Sequence, residues 1–354
     1  MVTRVLIVED SQVMQKLLAD LIARGRDLEV AGIASDPYEA RELIKALKPD
    51  VVTLDVEMPR MDGLTFLERL MRLRPMPVVM VSALTERHAE ASLRALELGA
   101  VDVIAKPRGA DVQGLTEFAA QIADKLRAAA RVEVGPRTSA VTGSKVLEGV
   151  GDRKLLESQL IAIGASTGGT EAIREIMLRL PPDTPPIVIV QHMPEMFTRM
   201  FARRLDEQCR IRVSEAIDRE KLVPGHAYIA PGDWHLSVRR SGKTFEARVE
   251  QSALVNRHRP SVDVLFESVA TATAERTTAA LLTGMGSDGA AGMRKVKDAG
   301  GHTLAQDEAS CVVFGMPKIA IEAGCVDKVL PLGSIAEAIM QRVREPAPAT
   351  RPAT

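Results

Sequence analysis

The chain has 354 residues, 46% of them hydrophobic and 3% aromatic, with a formal net charge of −1. That length favours two domains over one, and the apolar share lets each build a core. The neutral balance and the scarcity of aromatics argue against a nucleic-acid or anionic-membrane partner, and Cys209, Cys311 and Cys325, scattered without Cys-x-x-Cys spacing, read as free thiols in a reducing compartment.

The opening stretch, MVTRVLIVEDSQ, has a short apolar run stopped by Glu9 and Asp10, which is not a signal peptide. No apolar run reaches the roughly 18 residues of a membrane helix, so no direct membrane insertion and a cytoplasmic address are expected. Residues 4–126 then alternate strand-like runs (RVLIV, LEVAGIA, VVTLD, PVVMVS, DVIA) with amphipathic stretches, such as Leu115, Phe118, Ile122 and Leu126 at helical spacing. Five such repeats predict a five-stranded, doubly wound parallel sheet of the flavodoxin-like kind, whose sites lie at the carboxyl ends of the strands.

From residue 128 to residue 157 the pattern fails, with Gly, Ser, Thr, Pro and charge in no sustained period, and the segment reads as a linker. Residues 158–345 resume an α/β rhythm. Strands are predicted at Leu160–Ile163, Ile187–Val190 and Ala279–Thr283, and helices at Thr170–Leu180, Met196–Glu207, Val262–Ala272 and Ile335–Val343. Between them, Arg212–Gln251 alternates polar and apolar residues and is punctuated by Pro-Gly and Ser-Gly-Lys, which predicts short antiparallel strands and turns. The Pro/Ala-rich residues 346–354 are expected to be a disordered tail.

Two sets of residues carry chemistry. In the first domain, Glu9 and Asp10 close the first strand, Asp55 the third and Ser82 the fourth, and Lys106 follows the fifth. Clustered carboxylates are electrostatically costly without a hard divalent cation, and Mg²⁺ suits oxygen ligands. With a hydroxyl and an ammonium added, the site can accept a phosphoryl group on Asp55. The segments LIVEDS, LDVEMPRMDG, VSA and AKP resemble the receiver domain of bacterial two-component response regulators. The resemblance implies that Asp55 takes phosphate from a histidine kinase, with Glu9, Asp10 and Asp55 on Mg²⁺ and with Ser82 and Lys106 sensing the phosphate. Many receivers carry an aromatic residue three positions before the lysine; here that position is Val103.

In the second domain, LIAIGASTGGTEAI runs from an apolar strand through Gly164-x-Ser166-x-Gly168 into a helix. This admits a nucleophile on a sharp bend, a phosphate cradle or a plain turn. A dinucleotide fingerprint would need glycine where Ser166 stands, and a P-loop would need a lysine, so a seryl nucleophile fits better. His192, in IVIVQHMP, follows the next strand. Asp288, in AALLTGMGSDGAAG, follows a third. A helix N-cap would also explain Asp288. A nucleophile, base and carboxylate after three strands nevertheless complete a hydrolytic set, in an order unlike that of α/β-hydrolases.

The segments IGASTGGTEAI, QHMPEMFT, YIAPGDWHL, RPSVDVLF, LLTGMGSDGAAGM and AGGHTLAQDEASCVVFGMP are similar to the catalytic domain of the chemotaxis response regulator protein-glutamate methylesterases. The resemblance implies an α/β parallel-sheet esterase domain with an antiparallel portion at residues 158–345, behind a receiver at 1–127. It implies hydrolysis of glutamate γ-methyl esters on methyl-accepting chemoreceptors by Ser166, His192 and Asp288, without a cofactor in that reaction. The oxyanion donors would be the backbone of Met285 and, less directly, Thr167. A chemotaxis histidine kinase would be the phosphodonor, and phosphorylation of Asp55 would relieve inhibition. Receptor glutamine deamidation by the same acyl chemistry, and a monomeric state, are further implications. The alternatives are an esterase acting on a non-flagellar receptor array and a response regulator with a non-catalytic output domain. A DNA-binding output would be smaller and basic, and the second half is neither.

Overall fold

The structure, a computed structural model, describes residues 2–345 apart from Leu84, residues 108–111, Glu133, residues 136–145 and residues 274–275. Of the segment read as a linker, Glu133 and residues 136–145 lie outside the described residues, as does all of the 346–354 tail. The chain divides between residues 140 and 141 into two compact units.

The first unit alternates β1 (Thr3–Val8), α1 (Gln12–Ala23), β2 (Leu28–Ala34), α2 (Pro37–Leu47), β3 (Val51–Asp55), α3 (Gly63–Leu73), β4 (Val78–Ser82), α4 (Glu86–Leu98), β5 (Asp102–Ala105) and α5 (Val112–Ala129). Its five strands form one parallel sheet in the order β2-β1-β3-β4-β5. Both faces are covered, so β3 and β4 are buried along their whole length, as near-continuous apolar runs require. Helix starts follow capping chemistry: the Asp36 carboxylate accepts from the Tyr38 and Glu39 N–H groups ahead of Pro37, and Asp62 accepts from Thr65. Phe118, Ile122 and Leu126 form the buried stripe of α5.

The second unit opens with α6 (Arg153–Glu157), β6 (Leu160–Ala165), α7 (Gly169–Arg179), β7 (Ile187–Gln191), α8 (Glu195–Gln208), β8 (Arg212–Glu215), β9 (Lys221–Leu222), β10 (His226–Ile229), β11 (His235–Ser241) and β12 (Thr244–Glu250). It continues with α9 (Val262–Thr273), β13 (Thr277–Leu281), α10 (Ala290–Asp298), β14 (His302–Gln306), α11 (Met316–Glu322), β15 (Lys328–Leu330) and α12 (Leu332–Arg344). Seven strands form a parallel sheet in the order β15-β14-β13-β6-β7-β10-β8, and β11, β12 and β9 form a separate antiparallel sheet.

The middle segment departs from the expectation in part. β8 and β10 are parallel members of the main sheet, with Ala227 paired to Ile187 on one side and Val213 on the other; only β9, β11 and β12 are antiparallel. α9 packs against α10, β11 and β6, and the core it closes includes Leu160, Val188, Leu236, Phe245, Phe266 and Leu281. Burying each such side chain contributes about 1.5–3 kcal/mol before chain entropy is charged against it. Among the described residues no helix is long and apolar enough to cross a membrane.

In both sheets the strand order reverses at one place. β1 lies between β2 and β3; β6 lies between β7, which follows it, and β13, which comes much later. Crevices at such switch points are where α/β sheets bind ligands.

Candidate active site and receiver pocket

In the second unit, hydrogen bonding runs on past the strand ends and ties three of them together. The Ser166 N–H donates to the Thr283 carbonyl at 3.0 Å, and the His192 N–H donates to the Ala165 carbonyl at 3.1 Å. The Gln191 side chain adds a bond from Nε2 to the Ser166 carbonyl at 2.9 Å. Ser166 therefore sits at the end of β6, between the chain leaving β7 and the chain leaving β13.

The two glycines around it have different tasks. Gly168 has φ +77°, the left-handed conformation that lets the chain turn into α7. A Cβ on Gly164 would lie 2.2 Å from Val262 Cγ1, so that glycine admits the start of α9 against β6. Val262 in turn donates its N–H to Asp288 Oδ2 at 2.7 Å. Only the second glycine serves the bend; the first serves the carboxylate's surroundings.

His192 and Asp288 meet. Nε2 of His192 is 2.8 Å from Oδ2 of Asp288, with side chains 6% and 1% exposed. A carboxylate can only accept here, so Nε2 carries the proton and Nδ1 is the nitrogen with a lone pair. Nδ1 is buried and has no hydrogen-bond partner among the described residues, so the Ser166 hydroxyl does not bond to it in this structure. Asp288 does not cap the helix that follows it, since the N-cap of α10 is Gly289. Instead its two oxygens collect donors, namely His192 and the Val262 N–H on Oδ2, and Asn256 Nδ2, Ser261 Oγ and the Asp263 N–H on Oδ1. Burial alone would raise its carboxyl, but the hydrogen bond and charge of His192, with the bonds from Asn256 and Ser261, hold it well below the ordinary carboxylate range.

Sequence reasoning did not single out Asn256, Ser261 or Asp263, although RPSVDVLF contains the last two. Nor did it single out His258, whose ring lies stacked on that of His192, with centroids 3.8 Å apart and planes 10° apart.

The two oxyanion candidates flank Ser166. Thr167 is buried, and its carbonyl accepts from Thr283 Oγ1 at 2.9 Å. Met285 follows Gly284, where a Cβ would lie 2.7 Å from Ser166 Cβ. The Gly284 carbonyl is pinned by the Gly315 and Met316 N–H groups at 3.1 and 2.8 Å.

In the first unit, Glu9, Asp10 and Asp55 each bring an oxygen within 4.8 Å of the others. Asp55 is buried, with the Val56 N–H at 2.7 Å from Oδ1 and Lys106 Nζ at 2.7 Å from Oδ2. Lys106 also lies 2.8 Å from Glu9 Oε2 and 3.1 Å from Oε1, of which only the second contact is aligned as a hydrogen bond. Burial pulls the Lys106 ammonium down, but its bonds to Asp55 and Glu9 overcome that and hold it above its ordinary value. Burial pushes Glu9 up. The donor set consists of hard oxygens, and Oε2 of Glu9 is buried without a hydrogen bond, so these residues fit a hard divalent cation. Ser82 is fully buried, and its hydroxyl has no hydrogen-bond partner among the described residues.

A β2-β1-β3-β4-β5 sheet with an acidic switch-point pocket, followed by a second parallel sheet whose switch point gathers a serine, a histidine and a carboxylate, defines a response regulator with an enzymatic output unit. The family model for response regulator receiver domains matches residues 5–115, and that for the CheB methylesterase matches residues 161–339. The chain belongs to the CheB methylesterase family, as a hydrolase behind a response-regulator receiver. A protein of Cupriavidus pinatubonensis named protein-glutamate methylesterase/protein-glutamine glutaminase 2 is 55% identical over 340 residues, covering 96% of each chain. A Thiobacillus denitrificans protein named protein-glutamate methylesterase/protein-glutamine glutaminase is 54% identical over 341 residues, again 96% of each. The crystal structure of the Thermotoga maritima CheB methylesterase catalytic domain is 43% identical with a TM-score of 0.51, covering 52% of this chain and 98% of that one.

Proposed function

We propose that this chain hydrolyses glutamate γ-methyl esters on the cytoplasmic domains of chemoreceptors, as the adaptation enzyme of a chemotaxis pathway, under control of phosphorylation at Asp55. The units we assign are a receiver at residues 1–127, a linker at 128–157 and a catalytic domain at 158–345, acting in the cytoplasm as a monomer. The observation that carries the reading is the His192–Asp288 hydrogen bond at the ends of strands flanking the one that ends in Ser166.

Nδ1 of His192 takes the Ser166 proton as Oγ attacks the ester carbonyl, and Asp288 fixes the Nε2–H tautomer and stabilises the imidazolium. The carbonyl oxygen, now negative, is held by backbone N–H groups near Met285 and Thr167. Collapse expels methoxide, which leaves as methanol with the His192 proton. Water then gives a proton to His192 and its hydroxide to the glutamyl-enzyme, freeing glutamate and Ser166. With a receptor glutamine the leaving group is ammonia, and the same steps are a deamidation.

In the receiver, Glu9, Asp10 and Asp55 would hold Mg²⁺, which neutralises charge where phosphate is transferred from a chemotaxis histidine kinase. Lys106 and the unpartnered Ser82 hydroxyl receive the phosphoryl oxygens on Asp55.

The test is methanol release from methylated receptor membranes, with and without a small phosphodonor and Mg²⁺. Stimulation that needs Asp55 and turnover that needs Ser166 are expected. Unchanged turnover by Ser166→Ala would remove the nucleophile assignment. Magnesium binding has its own readout, a rise in the melting temperature of the receiver that Asp10→Asn reduces.

A further inference from the structure

The segment from Val255 to Asp263 lies outside the three strand ends, yet most of its polar groups converge on His192 and Asp288. It opens with a tight turn. Val255 and His258 exchange both backbone hydrogen bonds, at 3.1 and 2.9 Å, and the two residues between them, Asn256 and Arg257, have φ of +51° and +66°. Paired positive φ values in a two-residue turn are normally met by Asn-Gly. Arginine in the second place costs backbone energy, so the turn is held by its surroundings.

The turn delivers two side chains. Asn256 Nδ2 lies 2.7 Å from Oδ1 of Asp288 and 2.7 Å from Oδ2 of Asp263, so one amide nitrogen spends its two hydrogens on two carboxylates. Those carboxylates belong to residues 1% and 7% exposed, and without the amide they would repel each other across a gap with little water. Asp263 is also tied to the Gly292 N–H at 2.6 Å, which fixes it to the start of α10 beside Asp288. His258 lays its ring flat on the His192 ring. Beyond the turn, Arg259 anchors the strap through Asp233 and the Ser252 carbonyl, and Ser261 Oγ gives Asp288 Oδ1 a further bond at 2.7 Å.

We infer that this strap is the clamp that sets the reactive geometry of the base: Asn256 fixes the Asp288 carboxylate, His258 fixes the plane of the His192 imidazole, and both are positioning residues for the Ser166 reaction. The inference rests on the hydrolase reading above. A Nε2–H···Oδ2 bond alone leaves the imidazole free to tilt about that axis. A stacked ring removes the tilt, and a doubly bound amide keeps the carboxylate from following it.

Asn256→Gly is the sharpest variant, because glycine accepts φ +51° and keeps the turn while the amide is lost. In the methanol-release assay kcat is expected to fall by roughly tenfold to a hundredfold with KM nearly unchanged, the scale of a lost bond to a charged group. A purely structural loosening would raise KM as well as lower kcat. His258→Ala is expected to lose about tenfold in kcat, and His258→Phe, which restores a flat ring but no ring nitrogen, to recover most of it. Wild-type kcat in Asn256→Gly, or equal losses in His258→Ala and His258→Phe, would overturn the clamp. Ser166→Ala in the same assay separates the two readings: if it retains turnover, the hydrolase reading falls and takes the clamp with it, whereas if it is inactive and the strap variants are normal, only the clamp falls.

Discussion

Replacing Asp288 by asparagine tests the site most directly, because the new amide cannot satisfy the donors that the carboxylate collects. If its NH₂ takes the place of Oδ2, it faces the Val262 N–H at 2.7 Å and His192 Nε2 at 2.8 Å. The imidazole can answer only by moving its proton to Nδ1, which abolishes the base. If the NH₂ takes the place of Oδ1, it faces Asn256 at 2.7 Å and the Asp263 N–H at 3.2 Å, while the Ser261 hydroxyl can rotate to accept. Either way at least one N–H is stranded in a pocket around a residue 1% exposed. A stranded donor costs about 1–3 kcal/mol, and the lost charge assistance about 1.5–3 kcal/mol. The sum is about 2.5–6 kcal/mol, or a fall of roughly 10 °C in melting temperature for a unit of this size. Trp234, the only tryptophan in the chain, lies in the second unit and reports its unfolding by fluorescence. Turnover at a temperature where the variant remains folded should fall by about 10⁴-fold, the scale of a wrong-tautomer histidine. Methanol release within tenfold of wild type would refute the assignment of Asp288, and an unchanged melting curve would refute the accounting of its donors.

Three further outcomes follow from the charges and thiols. The Asp288 carboxyl is held below its ordinary value in the folded state, so its contribution to stability is complete above the unfolded value of about 3.9 and is lost as the pH falls through the folded value; in urea unfolding followed by Trp234, the gap between wild type and Asp288→Asn should narrow below about pH 4 and stay constant above it. Lys106→Met leaves Glu9 and Asp55 buried without their cation, which should destabilise the receiver by about 3–5 kcal/mol in calorimetry, with millimolar Mg²⁺ recovering part of the loss and the second unit unaffected. Burial pushes the Cys209 and Cys311 thiols up to about 12, so iodoacetamide at pH 8 should label the native chain slowly, with no loss of methanol release, and label all three cysteines rapidly in urea; fast native labelling seen by mass spectrometry would contradict the burial.

What the sequence made legible was what parallel sheets impose. Strands buried on both faces are continuous apolar runs, so β3, β4, β6 and β7 stand out, and a polar residue directly after such a run must sit at a sheet edge. Glu9, Asp55, Ser82, Ser166 and His192 were all readable in that way. β8 and β10 were not. HAYI, four residues set between turn signals, has the look of a hairpin strand, and nothing local says that its partners are Ile187 and Val213 across long connections. β14 and β15 escaped notice because one is bounded by His302 and Gln306 and the other is a three-residue edge strand. The strap around Asn256 was hidden for a different reason. Its bond to Asp288 spans 32 residues, and its turn uses Asn-Arg where the recognisable pair is Asn-Gly.

The order of the strands also bears on which imidazole nitrogen meets the carboxylate in the proposed triad. His192 leaves β7 and Asp288 follows β13, and β6 with Ser166 at its end lies between them. Neighbouring strands are about 4.8 Å apart, so the histidine must reach across roughly two spacings to meet the carboxylate. Nε2, the nitrogen farther from the backbone, is the one found 2.8 Å from Asp288. The near nitrogen, Nδ1, is buried and takes no part in that bond. The familiar arrangement, with Nδ1 on the carboxylate and Nε2 on the serine, arises where the carboxylate approaches from behind the histidine backbone. Here the strand that runs into Ser166 lies between the strands that lead to His192 and Asp288, and the proposed triad uses the ring with the opposite polarity.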